Sequence, residues 1–202
     1  MTPPDITVAT RAERSRVVGS LVAAFAGDQV LRHLFPDEAA YPRCAAAFFG
    51  HLFDKRVRRG TVWTAGGGAS VAMWDAPVSG EGSVSGDGPA DGTEPGRATL
   101  ADVLPADAFA RVDAYDAAVR AALPTTPFWY LGVLGTDPRY AGRRWGRAVM
   151  AAGLRRAAAD GLPAVLETSN PVNVEMYRRA GWEVAEVVPA DPLTVWIMYH
   201  GG

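Results

Sequence analysis

The 202-residue sequence contains a single cysteine, Cys44, so no intrachain disulfide can form and a reducing, cytoplasmic setting is expected. Histidine is nearly as scarce. His33, His51 and His200 do not fall at the paired spacing of a metal site, and no metal is expected. Lysine occurs once, as Lys55, and the rest of the 20 basic residues are arginine. That bias fits a GC-rich coding sequence, so the choice of arginine at any one position says little. A net charge of −2 lacks the basic excess of a nucleic-acid binder, and phosphate recognition must rest on local charge. No stretch approaches the ~18 uninterrupted apolar residues of a membrane span, and the opening MTPPDITVATRAERSR lacks the apolar core of a signal peptide. Neither a GxSxG elbow nor a Cys–His pair is present, which argues against a covalent acyl-enzyme.

What the sequence does have is 49% hydrophobic residues, enough to bury the core of one domain spanning residues 1–202. DITVAT alternates as a short strand and runs into a helical stretch with Val17, Leu21, Ala24 and Phe25 on one face. DQVLRHLFPDEAAYPR is interrupted by Pro36 and Pro42 and reads as a segment free to shape a pocket, before the helix CAAAFFGHLFDKRVRRG. GTVWTAG and ASVAMWDAP form a hairpin. Residues 78–97, VSGEGSVSGDGPADGTEPGR, are too rich in Gly, Ser and Pro to pack and read as a flexible surface loop. A helix over 106–123, a buried strand FWYLGVLGT, a helix after the following loop, a second buried strand PAVLETS, a short helix NPVNVEMYRRAG and a closing hairpin complete an α/β chain.

Two stretches carry chemistry. GTDPRYAGRRWGRAVM lies between a strand and a helix, where backbone N–H groups at the helix start bind anions. Gly142 and Gly146 allow close backbone approach, while Arg139, Arg143, Arg144 and Arg147 add positive charge. On its own this loop reads equally as a solvated basic helix end. In ETSNPVNVEMYRRAG, Asn173 and Tyr177 project from one helix face. There the phenol suits a proton donor and the amide a ligand contact, or Tyr177 is simply a packing residue.

YLGVLGTDPRYAGRRWGRAVM and LETSNPVNVEMYRRAGWEV together resemble the GNAT superfamily of acyl-CoA-dependent N-acetyltransferases. The likeness is closest to the puromycin N-acetyltransferase-like branch and extends through VAAFAGDQVLRHLFPD and VAMWDAP. The resemblance implies a GNAT-like fold: a mixed central sheet, splayed between FWYLGVLGT and PAVLETS where acyl-CoA binds, with helices on both faces. It further implies that backbone groups near Leu134, Gly135 and Thr136 bind the pantetheine arm, and that the N–H groups near Leu134 and Gly135 stabilise the oxyanion. Residues Ala141, Gly142, Arg143, Arg144, Trp145, Gly146 and Arg147 would wrap the pyrophosphate. Asn173 would contact pantetheine, and Tyr177 would protonate the departing thiolate.

The family loop has Gln or Arg, then two residues, Gly, one residue, and Gly or Ala. Aligned on Pro138, the sequence departs from it at Ala141 and Arg144. Arg144 is tolerable if its backbone is helical, with the N–H kept on the anion and the guanidinium free to clamp a phosphate. Acyl transfer also needs an acceptor for the amine's proton, and Glu167 and Asp28 are the candidates. Structural roles, with Asp28 capping the next helix, are the alternative. His33 is expected in loop packing or substrate contact. Trp63, Trp74, Phe128, Trp129 and Tyr115 are candidates for an acceptor pocket. The expected activity is direct, acetyl-CoA-dependent acetylation of a small-molecule primary amine, in antibiotic resistance or biosynthesis, by a monomer or homodimer without nucleic-acid or membrane partners. A non-catalytic acyl-CoA sensor and a peptide α-amine acetyltransferase are the alternatives.

Overall fold

A computed structural model describes residues 4–77 and 99–201; the loop expected at 78–97 lies outside them. β1 (Ile6–Val8) leads through a short 3-10 turn to α1 (Arg14–Ala24), α2 (Gln29–Leu34) and α3 (Tyr41–Val57), and then to the hairpin β2 (Val62–Ala65) and β3 (Ser70–Asp75). After α4 (Leu100–Val103) and α5 (Ala106–Ala121), the chain alternates β4 (Trp129–Thr136), α6 (Trp145–Ala159), β5 (Ala164–Thr168) and α7 (Pro171–Arg178). It closes with β6 (Glu183–Ala190) and β7 (Leu193–His200). The strands form one seven-stranded sheet in the order β1-β2-β3-β4-β5-β7-β6. β4 and β5 pair parallel and the other neighbours antiparallel, so the sheet is mixed as expected.

Strand periodicity distributes the core to two faces. On β3, Val71 and Met73 point into a cluster with Val17, Leu21, Phe49 and Phe53 of α1 and α3. Their neighbours Ala72 and Trp74 point the other way, into a cluster with Val149 and Met150 of α6 and with Tyr177 of α7. Helices therefore cover both faces. α6 reaches the sheet through Gly153, where a Cβ would stand 2.2 Å from the Trp74 indole. Glycine there weakens the helix by roughly 1 kcal/mol relative to alanine, and in return admits the buried Trp74–Trp182 stack, with centroids 6.5 Å apart.

Two short helices go beyond the sequence reading. α2 forms inside the proline-interrupted segment because Asp28 caps it, accepting from the N–H groups of Val30 and Leu31 at 3.0 Å each. Pro42 sits in the first turn of α3, where its missing N–H costs nothing, so the helix starts at Tyr41 rather than Cys44. α4 follows a capping box in which the Thr99 N–H donates to Asp102 at 2.7 Å. Among the described residues, no helix is long and apolar enough to cross a membrane.

Arg56 on α3 is almost fully buried, at 1% exposure, and donates to the Asp75 carboxylate at the end of β3; Lys55 lies 3.9 Å from the other Asp75 oxygen. The pair stands beside an irregularity in β4. Met73 faces Val133 and Trp74 faces Leu131, leaving Gly132 as an extra, bulged residue. A Cβ on Gly132 would stand 3.0 Å from the Arg56 guanidinium.

Candidate active site in the splayed sheet

β4 and β5 are paired only at Trp129–Ala164, Tyr130–Val165 and Leu131–Leu166. Beyond these, β4 continues to Thr136 against β3 alone and β5 ends at Thr168 against β7 alone. The strands diverge just past the Gly132 bulge. Because a strand's backbone groups alternate between its two sides, the stretch of β4 after Leu131 keeps N–H and C=O groups aimed into the gap. A cleft of about 700 Å³, mouth included, opens here, and Leu134, Glu167, Asn173, Tyr177 and Asp28 all line it. Residues up to 149 positions apart in the chain are thus gathered at one place (177 minus 28).

Glu167 accepts a hydrogen bond from the buried Tyr130 hydroxyl. Burial pushes its carboxyl up to about 7; the Tyr130 bond opposes the rise and the Asp116 charge adds to it. Tyr177 is 7% exposed. Burial, and then the Glu167 charge, raise its phenol well above the usual range, which keeps it protonated and able to donate. Asp28 has two roles at once. It caps α2 through Oδ1 alone, and it faces the cleft with a carboxyl raised by burial against those two bonds.

Several groups that line or brace the cleft are not evident in the sequence. Tyr130 was read only as part of an apolar strand; its pairing with Glu167 depends on two parallel strands coming into register. Ser169, inside the ETSN stretch, is 4% exposed and lines the cleft, with its hydroxyl beside the Tyr115 phenol. The Gln29 side chain donates to the Ser169 carbonyl, tying α2 to the end of β5. Phe48 and Phe49, read as ordinary helix residues, form part of the wall.

Other expectations need correction. Of the proposed aromatic lining, only Tyr115 reaches the cleft. Trp74 and Trp129 are buried in the core on the α6 side, with Trp63 packed against it, and Phe128 packs against Tyr130. Strand parity turns the three tryptophans to the α6 face of the sheet. His33 lies on α2 and is not among the lining residues. Arg139 is already engaged, pairing with Asp137 at 2.6 Å and holding that carboxyl down at about 2.

The loop after β4 adjoins this gap. Gly135 lies under α1, where a Cβ would be 2.7 Å from Leu21. Thr136 bonds Ser70 at 2.7 Å and stands 3.3 Å from where a Cβ on Gly146 would be. Arg144, the N-cap of α6, has φ 60° and ψ 19°. The condition under which arginine would be harmless here, a helical backbone, is therefore not met. Arginine occupies a left-handed position at a cost of ~1–2 kcal/mol, and Gly142 also has a positive φ. No side chain caps α6 and no acidic residue occupies its first turn, so its leading N–H groups stay open to an anion. Beside them Tyr140 and Trp145 stack at 5.3 Å, and Arg143 rests on both rings, 5.4 and 5.2 Å from their centroids.

The donor set of the open β4 edge, the uncapped helix start and its arginines fits a pantetheine–pyrophosphate ligand. Residues 108–182 match the acetyltransferase (GNAT) family. Solved structures with the same fold include three acetyltransferases. The first is a Corynebacterium glutamicum protein described as histone acetyltransferase HPA2 and related acetyltransferase, with 22% identity over 99% of this chain and 97% of that one and a TM-score of 0.64. The second is arylalkylamine N-acetyltransferase 2 from Aedes aegypti, with 11% identity over 99% of each chain and a TM-score of 0.67. The third is PaiA N-acetyltransferase from Thermoplasma acidophilum in complex with coenzyme A, with 9% identity over the whole of each chain and a TM-score of 0.60. The splayed sheet and the matching segment agree: residues 108–182 carry the sequence pattern of the acetyltransferase (GNAT) family, and the chain as a whole has the fold of these structures.

Proposed function

We propose that the protein acetylates the primary amine of a small molecule by direct transfer, with acetyl-CoA supplying the acetyl thioester. The observation that carries this reading is Glu167, a half-buried carboxylate with a raised pKa that lines the sheet gap and accepts from Tyr130. Its carboxylate takes the amine's proton, and β4 N–H groups near Leu134 and Gly135 face the developing oxyanion. The Tyr177 phenol gives a proton to the departing sulfur. Asn173 and the backbone of Leu134, Gly135 and Thr136 hold the pantetheine arm, while residues 141–147 hold the pyrophosphate. Asp28 draws the cationic acceptor into the cleft. In this reading the chain is a single cytoplasmic domain of the puromycin N-acetyltransferase-like branch.

Thiol release from acetyl-CoA in the presence of a panel of amines tests the proposal. Amine-dependent release supports it, whereas CoA binding with no release favours the non-catalytic sensor. Tyr177→Phe is expected to lower kcat by about tenfold to a hundredfold and leave the KM for acetyl-CoA nearly unchanged. The loss stays at the low end because a thiol with a pKa of ~8.5 leaves readily as thiolate. Equal turnover would remove Tyr177 as the acid.

Arg144→Gly separates backbone strain from phosphate contact. Relief of the left-handed arginine raises the melting temperature, in keeping with ~1 kcal/mol, partly offset by the entropy glycine adds to the unfolded chain. Loss of the guanidinium raises the KM for acetyl-CoA several-fold. An unchanged KM would show that Arg144 makes no phosphate contact.

A further inference from the structure

We infer that the acceptor is a monoamine carrying an apolar, ring-sized group, rather than a polyamine; this rests on the acetyltransferase reading above. The cleft has two chemically distinct parts. Phe25, Leu31, Leu34, Phe48 and Phe49 form one wall, with Phe25 and Phe48 packed on Phe49 at centroid distances of 5.1 and 5.5 Å. Phe25 and Phe48 are only half-buried, so they keep ring surface for a ligand. Asp28, Glu167 and Ser169 are in the polar part, and among the described residues no Lys, Arg or His lines the cleft.

The polar part retains capacity for a ligand. The cap bonds of Asp28 use Oδ1 and leave Oδ2 out, and Ser169 Oγ lies beside the Tyr115 phenol, both on the cleft wall. The charges of Asp28 and Glu167 both act on the Tyr115 phenol, which also lines the cleft, so the carboxylates serve one region. An ammonium placed there gains a charged partner, while an attached ring gains burial against the phenylalanines. A polyamine would instead lay its further ammonium groups on phenyl and leucine surface, losing hydration without a counter-charge. A short diamine with one nitrogen at each carboxylate would leave the aromatic wall uncovered.

The test compares 2-phenylethylamine and tryptamine with putrescine and spermidine as acceptors, using thiol release for kcat/KM and calorimetry for amine binding to the full chain. The aryl amines are expected to exceed the polyamines by at least about tenfold in kcat/KM. Phe48→Ala should lower kcat/KM for 2-phenylethylamine by about tenfold and alter putrescine by less than about twofold. Phe48→Leu, which preserves packing volume, should act in the same direction more weakly. Asp28→Asn keeps the helix cap and should weaken binding of every amine without raising the KM for acetyl-CoA. Polyamine turnover equal to or above that of the aryl amines, or equal loss for both classes in Phe48→Ala, overturns the inference and leaves acetyl transfer standing. If no amine is acetylated, the acetyltransferase reading fails. Calorimetry then still decides the inference, by whether 2-phenylethylamine binds in a Phe48-dependent way.

Discussion

Glu167→Gln is expected to lower kcat/KM for the amine by about 10²-fold at pH 8 and to change the shape of its pH profile. On the proposed mechanism, the wild-type protein needs Glu167 ionised and accepts the abundant ammonium form of an amine whose own pKa is about 10. Its kcat/KM should rise tenfold per pH unit up to the Glu167 pKa of about 7, and then run flat until the amine itself titrates. The Gln variant has no proton acceptor and must use the free base, roughly one molecule in 100 at pH 8. Its profile should climb through pH 8 and 9 with no break near 7. A break retained near 7 in the variant would assign that titration to another group, of which Asp116, pushed up to about 6 by burial, is the nearest in pKa. Tyr130→Phe should move the wild-type break upward, because the lost hydrogen bond favours the ionised carboxylate.

Stability provides the control. The folded-state pKa of Glu167 lies above its ordinary value, so the native state binds the proton more tightly than the unfolded state does. The stability from this group is fully present below about pH 4.5 and lost as pH rises through about 7. At pH 8 the ionised, half-buried carboxylate therefore weakens the fold, and Glu167→Gln should melt no lower than wild type. A slow variant that is not a fragile one identifies a group kept for chemistry.

The second large effect is structural. Asp75→Ala removes the direct partner of Arg56, a guanidinium 1% exposed. Leaving one half of a buried ion pair costs about 3–5 kcal/mol. We expect about 3 kcal/mol, because Asp116 and Glu167 still exert attraction on Arg56. For a domain of this size that lowers the melting temperature by roughly 6–12 °C in a thermal scan. Replacing both residues, as Arg56→Leu with Asp75→Leu, should recover most of the loss, since no charge is then left unpaired. A double variant as unstable as the single would show that the pair is needed for its shape at the Gly132 bulge. The position makes this pair more than a packing detail, because the Arg56 guanidinium touches the residue at which β4 and β5 begin to part.

Much of this architecture was legible in the residues. The β-favouring residues of ASVAMWDAP, the continuous apolar run of FWYLGVLGT and the Asn170-Pro171 start of α7 each state a local preference that the fold keeps, down to the 2.9 Å hydrogen bond that the Val172 N–H donates to the Asn170 side chain. Asn173 and Tyr177 could be paired from their spacing alone, because helix geometry fixes which residues share a face. Arg144 shows the limit of such reasoning. Its departure from the family's glycine was visible, but φ is set by how the chain must turn from the 3-10 segment Pro138–Tyr140 into α6, and no single residue type reveals that.

By itself, the sequence determined the longer elements and the helix that presents Tyr177, because these follow from periodicity and capping over a few neighbouring residues. Only the tertiary structure decided that Tyr130 would donate to Glu167, that Asp28 would serve cap and cleft together, and that the tryptophans would turn into the core while Phe25 and Phe48 faced the opening. The reason is physical. These relations join strands and helices far apart in the chain, and they depend on the register of β4 against β5 and on a one-residue bulge, which shifts a strand's pairing by one position and so changes which side chains meet.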